Sequence, residues 1–514
     1  MPDNFYFGVD RLQVEQAIAL SEGHLKGVLN DAAKNKIQQS QAYVDHMVAQ
    51  DATVYGVTTG FGILANTKIN PEDAALLQYK ILQSHSVGVG SFIPRDLACL
   101  MLLTKVQALA QGYSGVQLRT IERILWHLEN DVIPLVPEKG SVGASGDLAP
   151  LAHLFLPLIG LGDVMYGGET CKTHEVLKKF GLEPIALAPK EGLALINGTQ
   201  FILAFAVRGI QRLQNCLDAA DIIGAMSLEA LTGTKAPFDE RLHQLRPFSG
   251  AQLVAKRLCT LVNGSEIMQS HVDCGRVQDP YSLRCMPQVH GASRNACAHL
   301  KELTEIELNA VTDNPIIFGE SDVISGGNFH GQPLALPLDY ACFAAAEIGN
   351  ISDRRCYLLL EGKWGLPTLL MRKVGLNSGF MIPQYTTAAL VTENKTLCFP
   401  ASVDSIPTSL GQEDHVSMGS ISGRKLAKVL DNLEFILAIE LLTACQAIEF
   451  RRPLKSSALL EAAHDYVREF VTFAEEDRIF AEDINKIKSI IADSSFVRKV
   501  HEFAAAHGTP LAEV

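Results

Sequence analysis

No two cysteines in this chain form a C-x-x-C pair. The eleven cysteines, from Cys99 to Cys445, are scattered singly, odd in number and often set inside apolar runs. That excludes a disulfide framework and points to buried thiols in a reducing compartment. Positive charge is also scarce. Against 57 Asp and Glu stand 44 Lys and Arg, a formal net charge of −13. There is no basic tail or long like-charge run, so no nucleic-acid partner is expected. Long apolar runs are missing too: Leu148–Leu161 is broken by Pro150, His153 and Pro157, too short and interrupted to span a bilayer. The opening "MPDNFYFGVDRL" has no basic segment followed by an apolar one, so no signal peptide is expected. A soluble, cytoplasmic protein follows, with no membrane partner.

Strand signals are few and short: "VIPLV", "VMYGGE" and "NPIIFGE". No internal repeat or low-complexity linker appears. Helix signals dominate the 514 residues, of which 47% are hydrophobic and 20% charged. "NPEDAALLQYKILQSH" offers Asn70 as N-cap and Pro71 at the first helical position. "PRDLACLMLLTKVQALAQGYSG" starts at Pro94 and stops at Gly112. Longer segments are predicted at about 199–232, 252–263, 296–311, 335–362 and 420–451. Several are apolar on more than one face, which requires burial by other helices or other subunits. The expected architecture is mainly α: a smaller N-terminal region, 1–198, then a long central helical bundle with C-terminal helices, 199–514, together one integrated catalytic unit. Turn-rich stretches, such as Val54–Asn66 (three glycines and the best lid candidate), Pro137–Pro150 and Asp273–Gly291, would carry a site on that scaffold.

The stretch "GSVGASGD" places glycines at 140, 143 and 146. It is neither G-x-G-x-x-G nor a Walker pattern, and Gly143-Ala144-Ser145-Gly146 is not a G-x-S-x-G elbow. On the bare pattern it is a tight loop with Asp147 capping the next helix and Pro150 in its first turn. A chemical reading stands beside this. In a sufficiently tight bend the Gly146 amide nitrogen attacks the Ala144 carbonyl, water is lost, and dehydration of Ser145 leaves an exocyclic methylene. The product is an electrophile built from the chain, and small residues suit that closure. Other polar residues each have a plain structural role available: Tyr55 as a core tyrosine, His85 as a helix C-cap, Asn197 as an N-cap, Arg284 paired with Asp279, Glu413 and Asp414 as first-turn acids. His271, His290, His330 and His415 are candidate metal ligands by type, but no H-E-x-x-H or i,i+4 pair occurs, so no metal is expected.

Taken together, "GSVGASGDLAPLAH", "YG-x-x-TGFG", "SH-x-x-G-x-G", "LINGTQ", "VQDPYSLRC-x-PQV", "SGGNFH" and "QEDHVSM", spanning about Val54 to Met418, resemble the aromatic amino acid ammonia-lyase family, most closely its histidine-specific members. The resemblance implies an aspartase/fumarase-like bundle and a methylidene-imidazolone (MIO) electrophile formed autocatalytically from Ala144, Ser145 and Gly146. It implies Tyr55 as the base for the β-proton, with an unperturbed pKa near ~10 that surrounding donors would have to lower. Arg284 would bind the substrate carboxylate, with Gln278 and Tyr281 close to it in the same loop. Asn197 would donate to the ring oxygen, and Phe329 would pack beside the electrophile. His85 and Glu413 would answer the donor and acceptor of an imidazole ring, implying L-histidine as substrate and trans-urocanate and ammonia as products, the first step of histidine degradation. The sequence departs from those relatives at Met286, "HGQP" and "SLGQEDH", none of which touches a residue given a catalytic role. A homotetramer with sites shared between subunits is also implied. The alternatives are a tyrosine or phenylalanine ammonia-lyase, an aminomutase using the same electrophile, or a helical scaffold that has kept the fold without chemistry.

Overall fold

Helices Gln200–Ala230 and Gly419–Glu449 each run for 31 residues, and Gln332–Leu360 runs for 29. Their sequences explain the length. In Gln200–Ala230, Ala219, Ala220, Ile222, Ile223, Ala225 and Met226 are all buried, and so are Ile436, Leu437, Ala438, Ile439, Leu441 and Leu442 in Gly419–Glu449. Those positions cover more than one helical face, so each rod is stabilised by packing rather than by propensity. Burying each such Leu contributes about 1.5–3 kcal/mol. The computed structural model describes residues 4–50, 54–57, 59–60, 69–70, 73–272 and 275–512. Cys274, Pro71 and much of the lid candidate, Thr58 and 61–66, lie outside the described residues. The described chain is mainly helical, with four small sheets of two or three short strands. The three expected strand signals appear as Ile133–Pro134, Asp163–Tyr166 and Ile316–Gly319. Among the described residues every cysteine is a free thiol.

The chain divides into two compact units. The first gathers 1–208, 300–339 and 400–424; the second gathers 209–299, 340–399 and 425–514. Within the first, strand Val89–Phe92 pairs antiparallel with Pro137–Lys139, Val89 opposite Lys139. That pairing draws the segment after His85 onto the start of the glycine-rich loop. Glycine suits the point where they meet: Gly140 has φ 135°, and a Cβ there would lie 3.1 Å from Gly88 Cα, a tight contact.

Two expectations change. Helix Met286–Glu307 begins ten residues before the predicted 296 and ends before 311. Pro287 sits in its first turn, where a missing N–H is tolerated. The helix beginning near residue 70 starts at Ala74 and is flanked by Asp73, so Asn70 is not its cap.

The second unit buries a charge network. Arg355 meets the Glu440 carboxylate twice, at 2.5 and 2.9 Å, and Ser227 and Ser352 add hydroxyls at 2.7 and 2.5 Å. Asp221 receives His290 Nδ1 at 2.8 Å, Arg257 Nε at 2.9 Å and Arg294 Nη2 at 2.5 Å. Burial alone would raise the Asp221 carboxyl; Arg294, His290 and Arg257 together hold it far below the carboxylate range. Removing the charge of Asp221 leaves two guanidiniums short of a counter-ion. Asp221→Asn is expected to destabilise the fold by about 3–5 kcal/mol, read as a lower denaturant midpoint.

Candidate active site

The site begins with a backbone contact in the first unit. Gly143, Ser145 and Gly146 adopt φ of 75°, 51° and 81°. Gly198 N–H donates to the Ser145 carbonyl at 3.3 Å, and Asp147 N–H donates to the Gly198 carbonyl at 2.7 Å. The two segments touch so closely that a Cβ on Gly146 would lie 2.1 Å from Gly198 O. A side chain there is sterically excluded, independent of the strain of positive φ. On the other side of the loop, a Cβ on Gly143 would lie 2.3 Å from Ser417 Oγ.

Asp147 precedes helix Leu148–Phe155, yet its side chain makes no capping bond to that helix. It accepts from Ser141 Oγ at 3.1 Å and from Ile202 N–H at 3.0 Å. The carboxylate therefore serves the start of helix Gln200–Ala230. Burial pushes its carboxyl up to about 7, against the pull of those donors.

Ser145 opens into a cavity of about 420 Å³ that Tyr55, His85, Asn197 and Glu413 also line. Leu77, Ile81 and Leu193 supply an apolar wall. A second cavity of about 250 Å³ lies against Ala144 and Gly146 and shares His85 and Glu413. Residues from positions 55 to 413 thus converge on one loop. His85 ends helix Ala74–His85 and pairs through Nδ1 with Ser84 Oγ at 3.0 Å. Burial lowers its pKa, opposed by a backbone hydrogen bond at Ile81 and by the Glu413 charge. Glu413 is fixed by Thr408, whose hydroxyl donates to Oε2 at 2.9 Å and whose N–H donates to the Glu413 carbonyl at 2.9 Å.

Asn197 is 2% exposed. Its side-chain nitrogen donates to the Asn314 carbonyl at 2.7 Å and to Asp313 Oδ1 at 3.3 Å, and its backbone carbonyl accepts from Lys105 Nζ. Lys190 Nζ holds the other Asp313 oxygen at 2.6 Å. Sequence reasoning missed Lys105, Lys190 and Asp313; the available signal was a lone lysine within "LMLLTKVQALA". Phe329 is half-buried and lines neither cavity.

Gln278, Tyr281 and Arg284 lie in the second unit and form a cluster of their own. Arg284 Nη2 donates to Gln278 Oε1 at 2.9 Å and Nε to the Asp279 carbonyl at 3.0 Å. Its guanidinium carbon stands 4.5 Å from the centre of the Tyr281 ring, which is 71% exposed. Arg284 therefore meets the backbone of Asp279; the Asp279 carboxylate faces Arg276 at 3.1 Å. The histidines weighed as ligands are otherwise engaged: His290 on Asp221, His271 between the Ile267 and Gly233 carbonyls at 2.7 Å each, His330 and His415 stacked at 5.6 Å. Among the described residues no three His, Cys, Asp or Glu come together as a metal site.

The loop fits an internally formed ring. Left-handed backbone at Ser145 and Gly146, no space for a side chain at 146, and Ser145 opening into a cavity are what such a closure needs. The sequence model for "Aromatic amino acid lyase" matches residues 12–469. The chain is 48% identical to the histidine ammonia-lyase of Vibrio parahaemolyticus over 458 residues, covering 88% of this chain and 90% of that protein. It is 49% identical to the histidine ammonia-lyase of Sorangium cellulosum over 481 residues, 91% and 94% of the two chains. Among solved structures, histidine ammonia-lyase from Trypanosoma cruzi superposes with a TM-score of 0.89 at 40% identity, covering 97% of this chain and 95% of that one. A tyrosine aminomutase from Streptomyces globisporus superposes at 0.93 with 32% identity, covering 99% of each. This chain belongs to the aromatic amino acid lyase family.

Proposed function

We propose that this chain is a carbon–nitrogen lyase that eliminates ammonia from L-histidine to give trans-urocanate, with an MIO electrophile formed from Ala144, Ser145 and Gly146. The observation that carries the reading is the cavity that Ser145, Tyr55, His85 and Glu413 line together. Relatives at 46–49% identity named histidine ammonia-lyase support the same substrate. The MIO group supplies an electrophilic carbon that converts the substrate amine into a better leaving group. The chain's own residues do the rest. Tyr55 takes the β-proton. Glu413, fixed by Thr408, accepts from one imidazole nitrogen of the substrate; His85, held neutral by burial, donates to or accepts from the other. The apolar wall excludes water from the ring.

Asn197 is assigned to the ring-oxygen side of the site and Phe329 to the flank of the electrophile. Arg284 binds the substrate carboxylate as a planar fork, with Gln278 and Tyr281 beside it. We place those three at the site of a neighbouring subunit in a homotetramer. The exposure of Gln278 and Tyr281 supports this, as do Tyr340, Phe343, Tyr357, Tyr385 and Phe399, large apolar side chains left exposed in the same unit. No helix among the described residues is long and apolar enough to cross a membrane; with its free cysteines the chain is assigned to the cytoplasm. The region 1–198 supplies the ring-forming loop and 199–514 the bundle, acting as one catalytic unit.

An aminomutase is the second reading, favoured by the close superposition on the tyrosine aminomutase. Product analysis separates the two: urocanate from L-histidine is expected, and a β-amino acid from tyrosine would contradict the assignment. The intact mass is expected to fall short of the sequence by two waters, and Ser145→Ala to abolish both that deficit and turnover. Glu413→Gln is expected to lower kcat/KM for L-histidine by about 10–100-fold, the loss of one charge-assisted hydrogen bond, while affecting L-tyrosine much less. Equal losses on both substrates would remove Glu413 from ring recognition.

A further inference from the structure

The peptide group between Asn197 and Gly198 has a polar partner at each end. Its N–H donates to the Ser145 carbonyl at 3.3 Å, and its C=O accepts from the ammonium of Lys105. Lys105 is 1% exposed and sits in helix Arg95–Leu109, where every residue from Leu97 onward is buried. Burial pushes its ammonium down to about 7; Asp313 opposes this and Lys190 reinforces it. The nearby carboxylate is shared. Asp313, also buried, is bonded by Lys190 at 2.6 Å, and the two lysines outweigh burial to hold its carboxyl below the usual range. Two lysines therefore stand around one carboxylate, directly behind Asn197.

Packing does not call for this cation. An unbranched apolar side chain of similar length would reach as far, and Asp313 would keep Lys190 as its counter-ion at 2.6 Å. The oxygen opposite gives the cation a purpose. In a ring closed through Ala144 and Gly146, the Ser145 carbonyl is conjugated with the methylene made from the Ser145 side chain. When a nucleophile bonds to that methylene carbon, the displaced electron pair moves onto the Ser145 oxygen. A donor aimed there gains strength as charge grows. A cation on the far oxygen of the same amide polarises the N–H and strengthens it further.

We propose that Lys105 is a positioning residue that fixes and polarises the Asn197–Gly198 peptide, so that its N–H draws electron density onto the Ser145 oxygen and sharpens the electrophile. The proposal rests on the reading of Ala144–Gly146 as the source of that electrophile. Lys105 touches neither substrate nor ring; it acts through one peptide bond, with Asp313 and Lys190 as the charged groups facing it.

The test uses the full-length protein and its Lys105→Met, Lys105→Gln and Lys105→Arg variants. Intact mass first reads the two-water deficit. A wild-type protein lacking it overturns the parent reading, before any variant is considered. Borohydride then probes the electrophile without substrate: a hydride bonds to the methylene carbon, a proton follows, and the mass rises by two hydrogens. Lys105→Met and Lys105→Gln are expected to keep the deficit and to hold KM for L-histidine within about threefold, yet to add hydride and turn over about tenfold more slowly; Lys105→Arg is expected to recover much of the rate. Hydride addition at the wild-type rate in the Met and Gln variants overturns the proposal. So does loss of the deficit in both, because Lys105 would then serve to fold or close the loop rather than to polarise it.

Discussion

Everything at this site hangs on one backbone contact, the meeting of Gly146 and Gly198. Ser145 accepts from the Gly198 N–H and Asp147 donates to the Gly198 carbonyl, so the loop is held from both sides of its turn. No side chain fits at Gly146, which is why the chain places its smallest residues there. The contact also fixes the geometry outward. Gly198 follows Asn197 directly and lies two residues before helix Gln200–Ala230, so the loop is tied to the start of that 31-residue helix. Asp147 ties the same corner a second time by accepting from Ile202.

The electrostatics follow the same line. The first unit buries Lys105, Lys190 and Asp313 behind Asn197 and keeps Asp147 beside Gly146. Burial works against the charged forms at Lys105 and Asp147, pushing the lysine down and the acid up, each to about 7. Such opposed pressures belong where charge is to be managed rather than where a core is to be stabilised. The paired network of the second unit differs, although burial also pushes the Glu229 carboxyl there up to about 7. Its Arg355–Glu440 and Asp221 network is closely matched in sign and geometry, and Asp221 is held strongly ionised. That arrangement suits structure.

Much of the fold was legible because its signals are local. Helices apolar on several faces announced the long rods, and the ends of Gln200–Ala230 and Gly419–Glu449 fall within two residues of expectation. Met286–Glu307 was obscured because Pro280 and Pro287 look like loop markers, although a first-turn proline costs a helix no hydrogen bond. Several residues that line the cavity at Ser145 could be named from the sequence, but the contacts that hold them could not. The family resemblance can mark Ser145, His85 and Glu413; it cannot show that Asp147 turns away from its own helix to serve Ile202, or that Lys105 reaches Asn197 across 92 positions. Those facts exist only once the chain has folded. The three glycines of the loop sit between these cases: by pattern they mark a turn, and only the approach of Gly198 shows why the turn admits no side chain.

A crystal structure of the purified protein, at a resolution that separates the atoms of residues 144–146, tests the ring most directly. Density joining Gly146 N to the Ala144 carbonyl carbon, a planar Ser145 Cα with no hydroxyl, and the Gly198 N–H on the Ser145 oxygen are the expected result. A linear chain with an intact Ser145 hydroxyl would contradict it.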